Sequence, residues 1–301
     1  MGLFGKKGEA GLLGVSWDEA GACLARVSRR GSRPRVEFLD CQVGPPAELL
    51  PRLARAGGGR HIPCATVLAS GEYQLLPTEV PNVPRDELRG AIRWLVKDLV
   101  PFEPEDMAVD VFAAPLGRSG QPDAFYAVVA SRARVQEKVG QLEEAGFAAR
   151  IVDIPEMAQR NLAALADRDG AGVLMLSLSG RGGLVTVSRR GALYFSRRLA
   201  LNPGELAGGD EAVYERLALE LQRSLDYYDS HFDPPPIARV LLAPLPDELR
   251  GVQTALEARL AVPVARFEVA EVLDWRRPPP PLSPLGLATL GAALREEEVL
   301  P

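Results

Sequence analysis

The chain has 301 residues, enough for about two domains, and its composition, 47% hydrophobic and 25% charged, is that of a soluble globular protein. A net charge of −5 argues against general nucleic-acid binding, where a basic surface supplies most of the affinity. With only two histidines, and neither H-E-x-x-H nor G-x-S-x-G in the chain, a zinc protease site and a hydrolase triad are set aside.

At the N-terminus, MGLFGKKGEAG lacks the apolar core of a signal peptide. No later run approaches the ~20 apolar residues of a membrane span, so a cytoplasmic protein is expected. Leu3, Phe4, Lys6 and Lys7 are too few to anchor a membrane surface and read as a frayed terminus. Cys23, Cys41 and Cys64 are isolated and odd in number among apolar neighbours. They read as small buried residues kept reduced, with neither a disulfide framework nor a C-x-x-C metal pair.

The pentapeptide VSRRG occurs twice, at Val27–Gly31 and Val187–Gly191, and its surroundings repeat with it. GLLGVSWDEAGACLARVSRRG and GVLMLSLSGRGGLVTVSRRG share one plan: an apolar strand, a short polar or glycine turn, an alternating strand and an Arg-Arg-Gly turn. In the second copy Leu184, Thr186 and Ser188 alternate with Val185 and Val187, and Gly191 suits a hairpin. RPRVEFLDCQV and ALYFSRRLAL follow as third strands, each before a helical stretch. Two such halves predict a duplicated α/β core around a cleft.

Between the copies, the stretch from Tyr73 to Arg150 reads as an inserted α/β subdomain. Pro84 suits the opening turn of a helix, and Asp86 and Glu87 favour its positive end. Leu88, Ala91, Ile92, Leu95 and Leu99 recur as an apolar stripe that Pro101 ends. AVDVF and AFYAVVAS read as strands, and RVQEKVGQLEEAGF as a helix stopped by Gly146.

In the second half, Val213, Leu217, Leu221, Leu225, Tyr228 and Phe232 share one face of a long helix, with Asp210 as N-cap and Pro234–Pro236 beyond its end. RVLLAPL reads as a buried strand, DELRGVQTALEARL as a helix and PVARFEV as a last strand. Pro278–Pro281 form a stiff connector. It leads to the small-residue helix PLGLATLGAAL and the acidic end REEEVLP.

LPTEVPNVPRDELRGAIRWLVKDLVPFEPEDMAVDVF resembles the signature segment of PilM-type pilus-assembly proteins. IVDIPEMAQRNLAAL, LELQRSLDYYDSHF and LGLATLGAAL are similar to later segments of the same family, in the same order, with departures closest to its MshI-like branch. The resemblance implies an actin-like (ribonuclease-H-like) α/β fold of two duplicated lobes. The first lobe is expected over 1–168 with an insert at about 77–150, and the second over 169–301 with its last helix returning to the cleft. Fold alone does not fix function, since actin-like domains serve kinases, chaperones, filaments and scaffolds.

In that family an aspartate and a glycine stand in each of two phosphate-wrapping hairpins. Here Ser16 and Asp18 stand at those positions in the first hairpin, and Ser177 and Ser179 in the second, followed by Gly180, Gly182 and Gly183. Ala243-Pro244 replaces the late glycine pair. GRGG also fails G-x-G-x-x-G, because Val185 holds the third glycine's place. Asp18 or Glu19 holding Mg²⁺, with Arg181 on a phosphate, is the rescue reading. The expectation is a degenerate nucleotide cleft with hydrolysis lost and no cofactor needed, weak binding of ATP with Mg²⁺ but without turnover being the alternative.

The leading functional expectation is a non-enzymatic cytoplasmic scaffold of a type IV, MSHA-like pilus machine. As the resemblance implies, it binds the cytoplasmic N-terminal peptide of a bitopic inner-membrane partner of PilN or MshJ type, in a groove between the first-lobe core and the insert. Trp94, Val100, Phe102 and Phe112 are the candidate lining residues. The alternatives are an active actin-like ATPase and a GspL-like secretion domain.

Overall fold

The computed structural model describes residues 11–29, 31–79, 83–84, 87–115, 124–201, 203–233 and 235–296. Leu3, Phe4, Lys6, Lys7, Asp86, Pro234 and the acidic end beyond Glu296 lie outside them. The first lobe runs β1 (Leu12–Trp17), β2 (Gly21–Ser28), β3 (Arg35–Val43), α1 (Pro46–Gly57) and β4 (Pro63–Val67). A subdomain follows with β5 (Tyr73–Glu79), α2 (Leu88–Leu95), β6 (Met107–Ala113), β7 (Ala124–Ser131) and α3 (Arg132–Ala145). Strand β8 (Ala148–Asp153) rejoins the first sheet, and α4 (Pro155–Ala166) leads out of the lobe.

The second lobe repeats the order with β9 (Val173–Ser179), β10 (Gly182–Arg189), β11 (Ala192–Leu199), the short α5 (Pro203–Ala207), α6 (Glu211–His231), β12 (Arg239–Leu242), α7 (Gly251–Glu257) and β13 (Val264–Arg266). The chain then closes with α8 (Val269–Val272), β14 (Asp274–Trp275) and α9 (Pro284–Ala293). The first sheet has the order β14-β3-β2-β1-β4-β8, the second β11-β10-β9-β12-β13. Each opens with an antiparallel meander and continues with parallel strands on the far side of its first strand. The repeat legible in VSRRG is thus a repeat of topology. It extends to the β-bulges, which fall at Arg26/Val27 and at Val187/Ser188.

Local chemistry explains the turns. Arg190 and Gly191 both have positive φ, 49° and 76°, the geometry of a two-residue turn that matches strand twist. Asp210 caps α6 by accepting from the Ala212 amide at 2.9 Å. On that helix Leu217, Leu221, Leu225 and Tyr228, with Phe232 at its C-cap, are buried over β10 and β11. β10 lies between two strands and is buried on both faces, with Val185 and Val187 toward α6.

Helices α4 and α9 lie between the two sheets, and they exchange partners. α4 leaves the first lobe to pack on β9, β10 and β11, whereas α9 leaves the second to pack on β1, β2 and β4. Their crossing is tight: a Cβ on Gly291 would stand 2.2 Å from the Ala158 carbonyl oxygen, and one on Gly14 of β1 would stand 2.0 Å from that of Thr289. Only glycine admits backbone this close. Before α9, the Arg276 amide still bonds the Val36 carbonyl at 3.1 Å. Pro278–Pro281, which have no N–H to offer a neighbouring strand, then carry the chain to Ser283, whose hydroxyl caps α9.

Two expectations are corrected. Cys23 and Cys41 are not separate reduced thiols; they form a disulfide. β2 and β3 place them directly opposite each other, with Cα atoms 4.1 Å apart. Cys64 alone is free, and burial pushes its thiol up to about 12. The apolar stripe of α2 is also different. The helix ends at Leu95 and tightens into a 3-10 turn over Lys97–Leu99. Leu88, Ile92 and Val96 are buried, while Leu95 and Leu99 are 54% and 60% exposed. The single sheet beneath so short a helix covers one flank of its apolar set and leaves the other in solvent.

Candidate functional site

The tips of the two duplicated hairpins face each other across an interlobe cleft of about 360 Å³. Ser16, Asp18, Ser177, Ser179 and Gly180, which the sequence assigns to the cleft, all line it. Much of the remaining wall is apolar: Trp17, Val67, Leu68, Leu162 and Leu184, together with Leu285 and Leu287 from α9.

The polar side chains of the cleft, the exposed Glu19 apart, are largely engaged within the fold. The Asp18 carboxylate accepts from the Ala20 and Gly21 amides at 2.9 and 3.1 Å, closing its own hairpin in place of a glycine. The Ser177 hydroxyl donates to Gln159 Oε1 at 2.7 Å. Gln159 Nε2 in turn donates to the Met175 carbonyl at 2.7 Å and to Thr186 Oγ1 at 2.9 Å, so one buried amide ties α4 to β9 and β10. The Ser179 hydroxyl donates to the Gly182 carbonyl at 3.3 Å. Ser16, 2% exposed, is the exception, since its hydroxyl has no partner.

The cations are likewise committed. Arg181 reaches from the second lobe to the Ser70 carbonyl of the first at 3.3 Å. Arg198 pairs with the buried Glu156 carboxylate at 2.8 Å and donates to the Ser70 and Tyr73 hydroxyls. Tyr73 also donates to Glu156. Burial, followed by the charge of Glu156, pushes the Tyr73 phenol far up, while Arg198 acts against both. Behind the first hairpin the Lys138 ammonium lies 3.9 Å above the Trp17 ring and 3.9 Å from Glu72. Burial pushes that amine down, and Glu72 opposes the shift.

A nucleotide with Mg²⁺ does not fit this donor set. Hydroxyls stand at Ser16 and Ser177 where the family resemblance calls for metal-binding carboxylates, and both arginines at the cleft hold Ser70. Asp18 gives Oδ1 to its own turn, which leaves its Oδ2 and the exposed Glu19 as the carboxylate oxygens at the hairpin tip. Among the described residues no group of three or more His, Cys, Asp or Glu side chains is arranged to hold a metal ion. Beyond β12, Ala243 continues the sheet, its amide bonding the Leu176 carbonyl at 2.8 Å.

The expected partner-binding residues divide between two places. Trp94, Val100 and Phe102 line one groove of about 440 Å³, together with Lys97, Asp98, Glu103 and Glu105, and it is formed by the subdomain alone, not between the first-lobe core and the insert as expected. Trp94 is 60% exposed. This groove belongs to the α2 side of the sheet β5-β7-β6, whose core is Leu88, Ile92, Val96, Met107, Val111, Ala127 and Val129. Phe112 is not part of it. It stacks on Tyr126 with ring centroids 5.3 Å apart, in the cluster that joins the sheet's opposite face to Leu68, Ile154, Met157 and Leu193. Strand alternation separates them, because Val111 and Phe112 are neighbours that point to opposite faces. Sequence reasoning missed Gln159, Glu156, Ser70 and Arg198, which carry no local motif and gain meaning only when the lobes meet.

No family model matches the chain, and no curated protein does. Solved structures do match it. A PilM-PilN type IV pilus biogenesis complex superposes with a TM-score of 0.74 at 21% identity, covering 95% of this chain and 98% of that one. The cytoplasmic domain of EpsL, an inner membrane component of the type II secretion system of Vibrio cholerae, gives a TM-score of 0.52 at 16% identity, covering 95% and 96%. Together with the duplicated topology, these likenesses establish an actin-like fold of two lobes with a subdomain inserted in the first.

Proposed function

We propose that the protein is a non-enzymatic scaffold of a type IV pilus or related secretion machine, working on the cytoplasmic side of the inner membrane through a partner. It holds the N-terminal cytoplasmic segment of a bitopic protein of PilN or MshJ type on its inserted subdomain. The observation that carries this reading is the exposed apolar surface of Trp94, Leu95 and Leu99 beside the groove floored by Val100 and Phe102. Exposed aromatics at a groove are the usual anchors of peptide recognition. The structural likeness to a PilM-PilN complex supports the type of partner. Among the described residues no helix is long and apolar enough to cross a membrane. The committed polar groups of the interlobe cleft speak against an ATPase.

Calorimetry with the N-terminal cytoplasmic peptide of a PilN-type bitopic protein tests the reading. Binding without nucleotide is expected, weakened roughly thirtyfold or more in Trp94→Ala, the loss of about 2 kcal/mol typical of an aromatic anchor. Full affinity in Trp94→Ala would remove the groove from the account.

A further inference from the structure

The subdomain groove has an apolar floor and an acidic rim. Trp94, Val100, Phe102 and Pro104 supply the floor, and Asp98, Glu103 and Glu105 stand exposed around it. Among the described residues none of these three carboxylates has an ion-pair partner. Arg89 pairs with Asp110 at 3.0 Å, and Arg132 is held by the backbone carbonyls of Glu105 and Met107. Lys97, the one cation in the lining, lies 5.6 Å over the Trp94 ring, so the three carboxylates outnumber it in the groove.

We infer that the groove selects a polypeptide segment with an aliphatic or aromatic anchor flanked by lysine or arginine. The inference rests on reading the groove as a peptide site and names the chemistry of its occupant. The anchor fills the floor against Trp94 and Phe102, and the flanking cations meet the three carboxylates. Charge distinguishes this occupant from the others available. An anionic lipid surface is repelled by the rim, and a second copy of this chain would bring net charge −5 to an acidic groove. The cytoplasmic flank of a membrane-spanning helix is, by contrast, where lysine and arginine concentrate.

Selection of a random peptide-display library on the immobilised full chain tests this without knowledge of the natural partner. The expected winners carry an apolar anchor with basic neighbours and lose binding in Trp94→Ala. Their affinity falls at least tenfold in the exposed triple variant Asp98→Lys/Glu103→Lys/Glu105→Lys, and wild-type binding weakens as salt rises. Winners that need Trp94 but show no basic bias, or bind the triple variant equally well, overturn the charge inference and leave the peptide site standing. Winners indifferent to Trp94, or none at all, overturn both. Unchanged circular dichroism in each variant confirms that the comparison is between folded proteins. Self-association by sedimentation that Trp94→Ala abolishes assigns the groove to a second copy and overturns the inference.

Discussion

At the C-terminal end of β8, the Asp153 carboxylate is 2% exposed and accepts from Arg295 at 2.7 Å and from the Ile154 amide at 2.9 Å, while its second oxygen has no partner. Burial raises this carboxyl above its ordinary value of 3.8, and Arg295 opposes the shift. A carboxyl raised on folding contributes stability below its unfolded value and loses it as the pH climbs through the folded one. Urea unfolding should therefore show wild type losing stability relative to Asp153→Asn as the pH rises from about 4 toward neutrality. A constant difference between the two contradicts the raised carboxyl. The Cys23–Cys41 disulfide is equally checkable. Denatured but unreduced protein should alkylate at Cys64 alone, and reduced protein at all three cysteines. Closing an 18-residue separation stabilises by about 3 kcal/mol on the chain-entropy account, so Cys23→Ala/Cys41→Ala should lower the midpoint of unfolding accordingly. Composition hid this bond because the pairing depends on the register of two strands, which no cysteine spacing encodes. Ser16 and Ser177 were named from the family pattern that the two hairpins resemble, and both line the cleft.

Among the elements, α6 could be read from helical spacing because it buries one face against its own lobe, and the duplicated meanders from the repeat of VSRRG with its flanking strands and turns. The apolar set of α2 could not be divided in advance into core and surface. Leu88, Ile92 and Val96 go to the sheet, and Trp94, Leu95 and Leu99 are left for solvent, a choice set by where β6 and β7 lie. The return of α9 to the cleft was implied by the family resemblance, but the packing of α4 on the second lobe's sheet was not, as partners so distant in sequence leave no periodic mark. Gly291 is where that exchange is most constrained. Gly291→Ala forces a Cβ to within 2.2 Å of the Ala158 carbonyl oxygen and should destabilise by about 1–3 kcal/mol, the range for overpacking, as measured by denaturant midpoint. Gly180, whose added Cβ meets nothing within 4 Å, is the matched control, and Gly180→Ala should leave the midpoint close to wild type. Equal midpoints for the two variants would show the crossing to be looser than it stands here.

In the whole molecule, the two lobes are fastened to each other by groups that would otherwise face a ligand. Ser70, in the turn before β5, receives Arg181 and Arg198 of the second lobe. Tyr126 of the subdomain donates to the Tyr194 carbonyl at 2.9 Å. The two hairpins and α9 keep the outline of an actin-like cleft, but Asp18, Ser177, Gln159 and both arginines are turned to holding that outline together. In this account the cleft is structural and the working surface is the groove at Trp94. Calorimetric titration of the full chain with millimolar Mg-ATP tests that division most directly. The account predicts no saturable heat and no release of phosphate. Saturable binding with turnover, both lost in Asp18→Ala, would contradict it.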